Sequence, residues 1–122
     1  MRKRSKYGAV RREVDGIVFA SKAEAKRYRE LKLLEQAGHI ARLKLQQRFE
    51  LVIPKTNLRA DVKDFDRIVT IGHYVADFCY DELTPAATRF VVEDVKGMRT
   101  PMYRWKKKHF ENQYGIQITE IR

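Results

Sequence analysis

The chain has 122 residues, with 26 Lys and Arg against 16 Asp and Glu, a formal net charge of +10 at pH 7. A hydrophobic share of 43% supplies one packed core and excludes a wholly disordered basic tail, while the length leaves no room for a second full core. Apolar stretches of bilayer length are absent and Met1-Arg2-Lys3-Arg4-Ser5-Lys6 has no apolar run behind it, so neither a membrane span nor a secretory signal is expected.

Residues 1–9 are basic and polar and read as a flexible arm, leaving 10–122 as a single domain. Val14-Asp15-Gly16-Ile17 sets an Asp-Gly pair between apolar pieces, which predicts a hairpin. Ser21 with Glu24 three residues later predicts the capped start of a helix over 22–37, stopped by Gly38. Its stripe of Tyr28, Leu31 and Leu34 has helical spacing and faces the core. Leu43, Leu45, Gln47, Phe49, Leu51 and Ile53 then alternate with polar neighbours, a strand with one mostly apolar face that Pro54 ends. Residues 55–66 read as a polar loop. Strands are expected over 67–71 and 73–80, with Gly72 a bulge between them. A turn over 81–88 contains Pro85, and 90–96 is a compact strand broken by Gly97. Thr100-Pro101 opens a second helix to about Gln113, stopping near Gly115, and 116–121 is a last short strand. The order is a hairpin followed by α-β-β-β-α-β: an α/β fold with one mixed sheet flanked by helices.

Charge of this size on a small folded chain points first to a polyanion, of which nucleic acid is the commonest, although a solvated basic surface looks the same on charge alone. Cys79 is the only cysteine, which excludes an intrachain disulfide and a thiolate zinc cluster and suits a reducing cytoplasm. His39, His73 and His109 are scattered without metal-ligand spacing. No Gly-rich phosphate loop and no serine nucleophile elbow is present.

The chemistry concentrates in three acids and a lysine. Asp77 stands inside the apolar run 74–78, and Asp94 and Lys96 are two apart, so they share one strand face. If the two strands are neighbours, Asp77 and Asp94 meet with the Lys96 ammonium beside them. Two carboxylates buried together need a cation, either Lys96 or a hard divalent metal such as Mg²⁺. Such an ion activates a water, polarises a phosphoryl oxygen and stabilises a leaving alkoxide. From spacing alone, a structural ion pair at a strand end accounts for the same residues equally well. Glu24 has a capping role, yet lies on the stripe that faces the sheet. Glu93 points to the face opposite Asp94 and reads as structural.

Glu24 on a first helix, Asp77 on a strand and Asp94-Val95-Lys96 on the next resemble the PD-(D/E)XK nuclease superfamily. The α-β-β-β-α-β order resembles its restriction-endonuclease-like core. Five pieces in order extend the likeness: Ser5-Lys6-Tyr7-Gly8, Val14-Asp15-Gly16, Ser21-Lys22-Ala23-Glu24-Ala25, Tyr74-Val75-Ala76-Asp77-Phe78 and Val92-Glu93-Asp94-Val95-Lys96-Gly97. Together they are similar to a small phage and prophage family grouped with Holliday-junction-resolvase-like endonucleases, from Ser5 to about Ile121. The resemblance implies Mg²⁺- or Mn²⁺-dependent hydrolysis of DNA phosphodiesters by a homodimer in the bacterial host's cytoplasm, alongside phage replication or recombination proteins. It implies that Asp77, Asp94 and the Val95 carbonyl bind the metal and that Lys96 orients or deprotonates the attacking water. Glu24 would complete the acidic cluster or hold a second metal. Gln46 matches a glutamine near the site of related enzymes, although Gln47 replaces the proline often found next.

Arg99, Arg104, Lys106, Lys107 and Lys108 surround the second helix's start, with Tyr103 and Trp105 interleaved, and Arg2, Lys3, Arg4 and Lys6 precede the domain. These cations suit the phosphate backbone of DNA, whereas Tyr103, Phe110 and Tyr114 read as core. Two other readings fit the same residues: a basic nucleic-acid-binding protein without catalysis, and a nuclease subunit inert without a partner.

Overall fold

The computed structural model describes residues 11–57 and 62–122, and side chains within 11–55 and 67–122. The basic arm, with Arg2, Lys3, Arg4 and Lys6, lies outside the described residues. An antiparallel hairpin of β1 (Arg12–Val14) and β2 (Ile17–Phe19) turns through Asp15 and Gly16, both at positive φ, as an Asp-Gly turn requires. Helix α1 (Lys22–Gln36) follows, its Ser21 cap accepting the Glu24 N–H at 3.1 Å. Then come β3 (Ile40–Asn57), β4 (Val62–Leu83), β5 (Thr88–Val95), α2 (Pro101–Tyr114) and β6 (Ile118–Ile121). Thr100 caps α2, and Gly115, left-handed at φ 69°, ends it.

The main sheet runs β3-β4-β5-β6, antiparallel except for the parallel β5–β6 pair. The expected α/β architecture, a mixed sheet with helices and an N-terminal hairpin, is therefore present. Some boundaries differ. Pro54 does not end β3: the strand is an edge strand, where a missing N–H is tolerated, and a register shift follows Pro54. Pairing continues to Asn57↔Val62, so most of the expected 55–66 loop is ribbon. The expected 81–88 turn shrinks to residues between β4 and β5, where the Thr84 N–H donates to the Ala87 carbonyl at 3.0 Å. The bulge at Gly72 is real: Leu51 pairs with Gly72 and Val52 with Thr70, leaving Ile71 as the extra residue.

Two cores flank the sheet. On one face α1 and the hairpin bury Phe19, Ala25, Tyr28, Leu31, Phe78, Tyr80 and Val91. On the other, α2 buries Tyr103 and Phe110 against Leu51, Tyr74, Ala76, Cys79 and Val92. The single apolar face expected for β3 is thus corrected. Leu43 and Leu45 pack toward α1, but Phe49 and Leu51 pack toward α2. On β4, Tyr74 and Ala76 belong to the α2 side, and Phe78 and Tyr80 to the α1 side. A pleated strand keeps alternate residues on one face, so both strands must reverse. They do so at the same level, at Asp77 on β4 and at Gln46 on β3, whose φ is 53°.

Burial of Tyr28 and Leu31 seats α1 on the sheet, and a buried ion pair fixes its position. Glu93 is fully buried. Its carboxylate accepts Arg27 Nε at 2.8 Å and Arg27 Nη2 at 2.6 Å, and the Tyr80 hydroxyl also donates to it. Those bonds hold the Arg27 guanidinium's pKa above its ordinary value. Glu93 is structural, as its strand parity indicates. No helix among the described residues is long and apolar enough to cross a membrane.

Breaking such a pair leaves one charge buried without its partner, which costs about 3–5 kcal/mol. Arg27→Met is expected to lower unfolding stability by that amount in urea titrations. Adding Glu93→Leu should recover part of the loss, because both charges are then gone. Equal stability of Arg27→Met and wild type would show that the pair does not hold α1.

Candidate active site

Antiparallel pairing of Phe78 with Glu93 sets the end of β5 beside Asp77 on β4. The Val95 N–H donates to Asp77 Oδ2 at 2.8 Å, and Gln46 Nε2 donates to Oδ1 at 3.3 Å. Asp94 is buried on the α2 side of β5. Its Oδ2 accepts the Tyr74 hydroxyl at 2.5 Å, and its Oδ1 lies 2.8 Å from Lys96 Nζ. The shared face expected for Asp94 and Lys96 is observed. Lys96 is held from two further sides. Its N–H donates to the Ile121 carbonyl of β6 at 2.9 Å, and its ammonium sits 3.9 Å from the centroid of the Tyr103 ring. The Tyr103 hydroxyl in turn donates to Glu120 Oε2 at 3.1 Å.

Glu24 reaches the same place from α1. Its backbone N–H serves the Ser21 cap while its carboxylate lines the cleft with Asp77 and Asp94, so the two roles coexist. The cleft encloses about 330 Å³ and is also lined by Val95, Lys96, Thr100 and Lys106.

The acids perturb one another. Burial, and then the charge of Asp94, push the Asp77 carboxyl up to about 7, against the pull of the Val95 N–H. Burial also raises Glu24; the Ala20 N–H opposes this, Asp94 adds to it and Lys96 offsets it. Burial, followed by the nearby Asp94 charge, holds the Tyr74 and Tyr103 hydroxyls above the ordinary phenol value. Burial is the first cause of each of these shifts, and the Asp94 charge adds to it.

For a divalent cation, Asp77 and Asp94 offer carboxylate oxygens and Val95 a carbonyl, the donors that Mg²⁺ and Mn²⁺ favour. Among the described residues, no three His, Cys, Asp or Glu side chains converge in a metal-holding group. The donor chemistry fits a divalent ion, and Asp94 Oδ1 is the oxygen for which it and Lys96 compete.

The basic residues divide. Lys106 lines the cleft, and Arg104 and Lys108 are exposed. Lys107 pairs with Glu111 at 2.9 Å, and Arg99 pairs with Glu120, so these two are already matched within the chain. Tyr103, Phe110 and Tyr114 pack together with the α2 core, although Tyr114 is partly exposed. Tyr103 is core, as expected, and also the platform under Lys96. Tyr74 is the positioning residue that sequence reasoning missed. The available signal was a tyrosine, rather than phenylalanine, at a buried strand position, since a buried hydroxyl needs a partner.

A carboxyl whose folded pKa exceeds its unfolded value stabilises the fold only while protonated. Asp77 therefore costs nothing below about pH 4, and its full cost applies above about pH 7. Asp77→Asn keeps an acceptor for the Val95 N–H and removes the charge. In metal-free buffer it is expected to raise the melting temperature at pH 8 by roughly 5 °C, the shift given by about 1 kcal/mol in a domain of this size. Near pH 3.5 the two proteins should melt together. Calorimetry across this range checks it; a gap that does not change with pH would remove the charge explanation.

Over residues 4–121 the chain matches a family model described as "Protein of unknown function (DUF1064)". No curated protein and no solved structure matches it. The match spans nearly the whole sequence, and the chain belongs to the DUF1064 family.

Proposed function

We propose that the protein is a Mg²⁺- or Mn²⁺-dependent endodeoxyribonuclease that hydrolyses phosphodiester bonds in branched or recombining phage DNA. The carrying observation is the meeting of Asp77, Asp94 and Lys96 on adjoining strands, with the Glu24 carboxylate lining the same cleft. Asp77, Asp94 and the Val95 carbonyl would hold the ion, which supplies Lewis-acid polarisation of a phosphoryl oxygen and a more acidic water. Gln46 and the Val95 N–H keep Asp77 oriented, and the Tyr74 hydroxyl keeps Asp94 oriented. Lys96 orients the attacking water and offsets charge on the phosphoryl group as an ammonium, or, having first given up its own proton to solvent, takes the water's proton at Nζ. Glu24 adds a third acid at the rim. Lys106 meets the phosphate backbone, with Arg104 and Lys108 further along α2, a grip that positions DNA without reading its sequence. No separate sequence-reading module is recognisable in the chain, which favours recognition of DNA structure. Two symmetric cuts at a junction need two sites, hence a homodimer.

The ion pair between Lys96 and Asp94 favours a second reading, in which the acids are purely structural and the chain binds nucleic acid without cutting it.

A labelled four-way junction, a linear duplex and single-stranded DNA, each with and without Mg²⁺ or Mn²⁺, separate the two. Metal-dependent cutting is expected, with the junction preferred. Asp77→Asn and Lys96→Ala should each lower the rate by at least about 100-fold. Binding without cutting in any metal would leave the binding protein, or a subunit that needs a partner.

A further inference from the structure

Beside the acidic cleft lies a second cavity of different character. It encloses about 600 Å³ between β4 and the first turns of α2, with walls from Ile71, His73, Pro101, Met102 and Trp105. Three residues, His73, Met102 and Lys106, line both this groove and the acidic cleft, so the two open into one another. The bulge at Gly72 takes Ile71 out of the ladder alternation at the groove's edge. Trp105 is 47% exposed and Met102 62%, so both present apolar surface to an incoming ligand. The indole is also backed. Its ring lies 5.6 Å from the His109 imidazole at 30°, and His109 Nε2 is anchored to the Val52 carbonyl at 2.9 Å.

We infer that this groove seats a nucleobase that has left its stack, belonging to a nucleotide that flanks the phosphate held in the acidic cleft. The inference rests on the nuclease reading for where that phosphate sits. A flat π-face on an exposed indole, a polarisable thioether and aliphatic walls suit the face of any base. The cation at the boundary, Lys106, suits the phosphate that the base carries with it. The polar side chains lining the groove are His73 and Lys106, with no amide or carboxylate among the described lining residues, so the seat holds a base by its face more than by its edge. A fully stacked duplex presents no free base face to the groove. The substrate class that follows is DNA with unpaired or readily unstacked nucleotides next to the cut, as at a branch point, a gap or a bulge.

Trp105 is the only tryptophan in the chain, so its emission reports on this groove alone. The wild-type protein in EDTA is titrated with a single strand, a duplex carrying a three-nucleotide gap, and a fully paired duplex, with binding followed independently by anisotropy of labelled DNA. The single strand and the gapped duplex are expected to quench the indole, and the paired duplex to leave it unchanged. Trp105→Ala should weaken binding of the gapped duplex by about 10-fold, within the range of base–aromatic stacking. It should leave the paired duplex within about two-fold, and Trp105→Phe should retain most of the affinity.

Unchanged emission while the gapped duplex binds would overturn the seat, and so would equal weakening of both duplexes by Trp105→Ala. A concentration-dependent change in emission without DNA, matched by dimer formation in ultracentrifugation, would assign the groove to a second copy instead. The two readings fail separately. Metal-dependent cutting without quenching keeps the nuclease and removes the base seat, whereas quenching without cutting in any metal does the reverse.

Discussion

The arrangement of the cleft depends on one buried contact, the clamp of Arg27 on Glu93. Arg27 lies three residues after Glu24 on α1, and Glu93 immediately precedes Asp94 on β5. Locking the first pair of side chains therefore sets the second pair about one helical turn and one strand step away. A buried ion pair is weak evidence for net stability, because desolvating both charges offsets most of their attraction. Its value here is positional. Apolar packing of Tyr28 and Leu31 tolerates a helix that slides or rotates slightly, but a two-pronged guanidinium–carboxylate bond does not. Tyr80 adds a third bond to the same carboxylate, so the strand neighbouring β5 is drawn into the same fixed point.

On the opposite face of β5 the polar groups form a chain in which each holds the next. Tyr74 bonds Asp94, Asp94 pairs with Lys96, Lys96 rests on Tyr103, and Tyr103 bonds Glu120. Among the described residues, no buried side-chain nitrogen or oxygen lacks a hydrogen-bond partner. A network this complete keeps rotamers narrow in a region where the acids themselves repel. The raised Asp77 carboxyl records burial and like charge that remain uncompensated.

Much of this was legible in the sequence where the determinants are local. Ser21 with Glu24, Thr100 with Pro101, and Gly115 each mark a helix end within a few residues. The two-residue step from Asp94 to Lys96 fixes a common face whatever the strand's neighbours are. Long-range facts left no such trace. Pro54 reads as a stop until β3 proves to be an edge strand, and edge position is a property of the whole sheet. Lys107 and Arg99 look like members of one basic run, yet their partners Glu111 and Glu120 are set by α2's turn and by the return of β6. The reversal of faces at Gln46 was hidden for a different reason. It occurs at the same level on both strands, so the odd-numbered apolar positions of β3 and the even-numbered ones of β4 continue unbroken on either side. Glutamine carries no sequence signal for left-handed backbone, unlike the Gly that usually supplies it.

That reversal gives Asp77 an unusual address. It sits on the seam between two cores and contributes to neither, with Ala76 of the α2 core before it and Phe78 of the α1 core after it. The carboxylate is held there by the Val95 N–H and the Gln46 amide, one from the strand on either side of β4. A change of packing in either compartment therefore reaches the acid along the chain through a single neighbour, Ala76 from one core and Phe78 from the other.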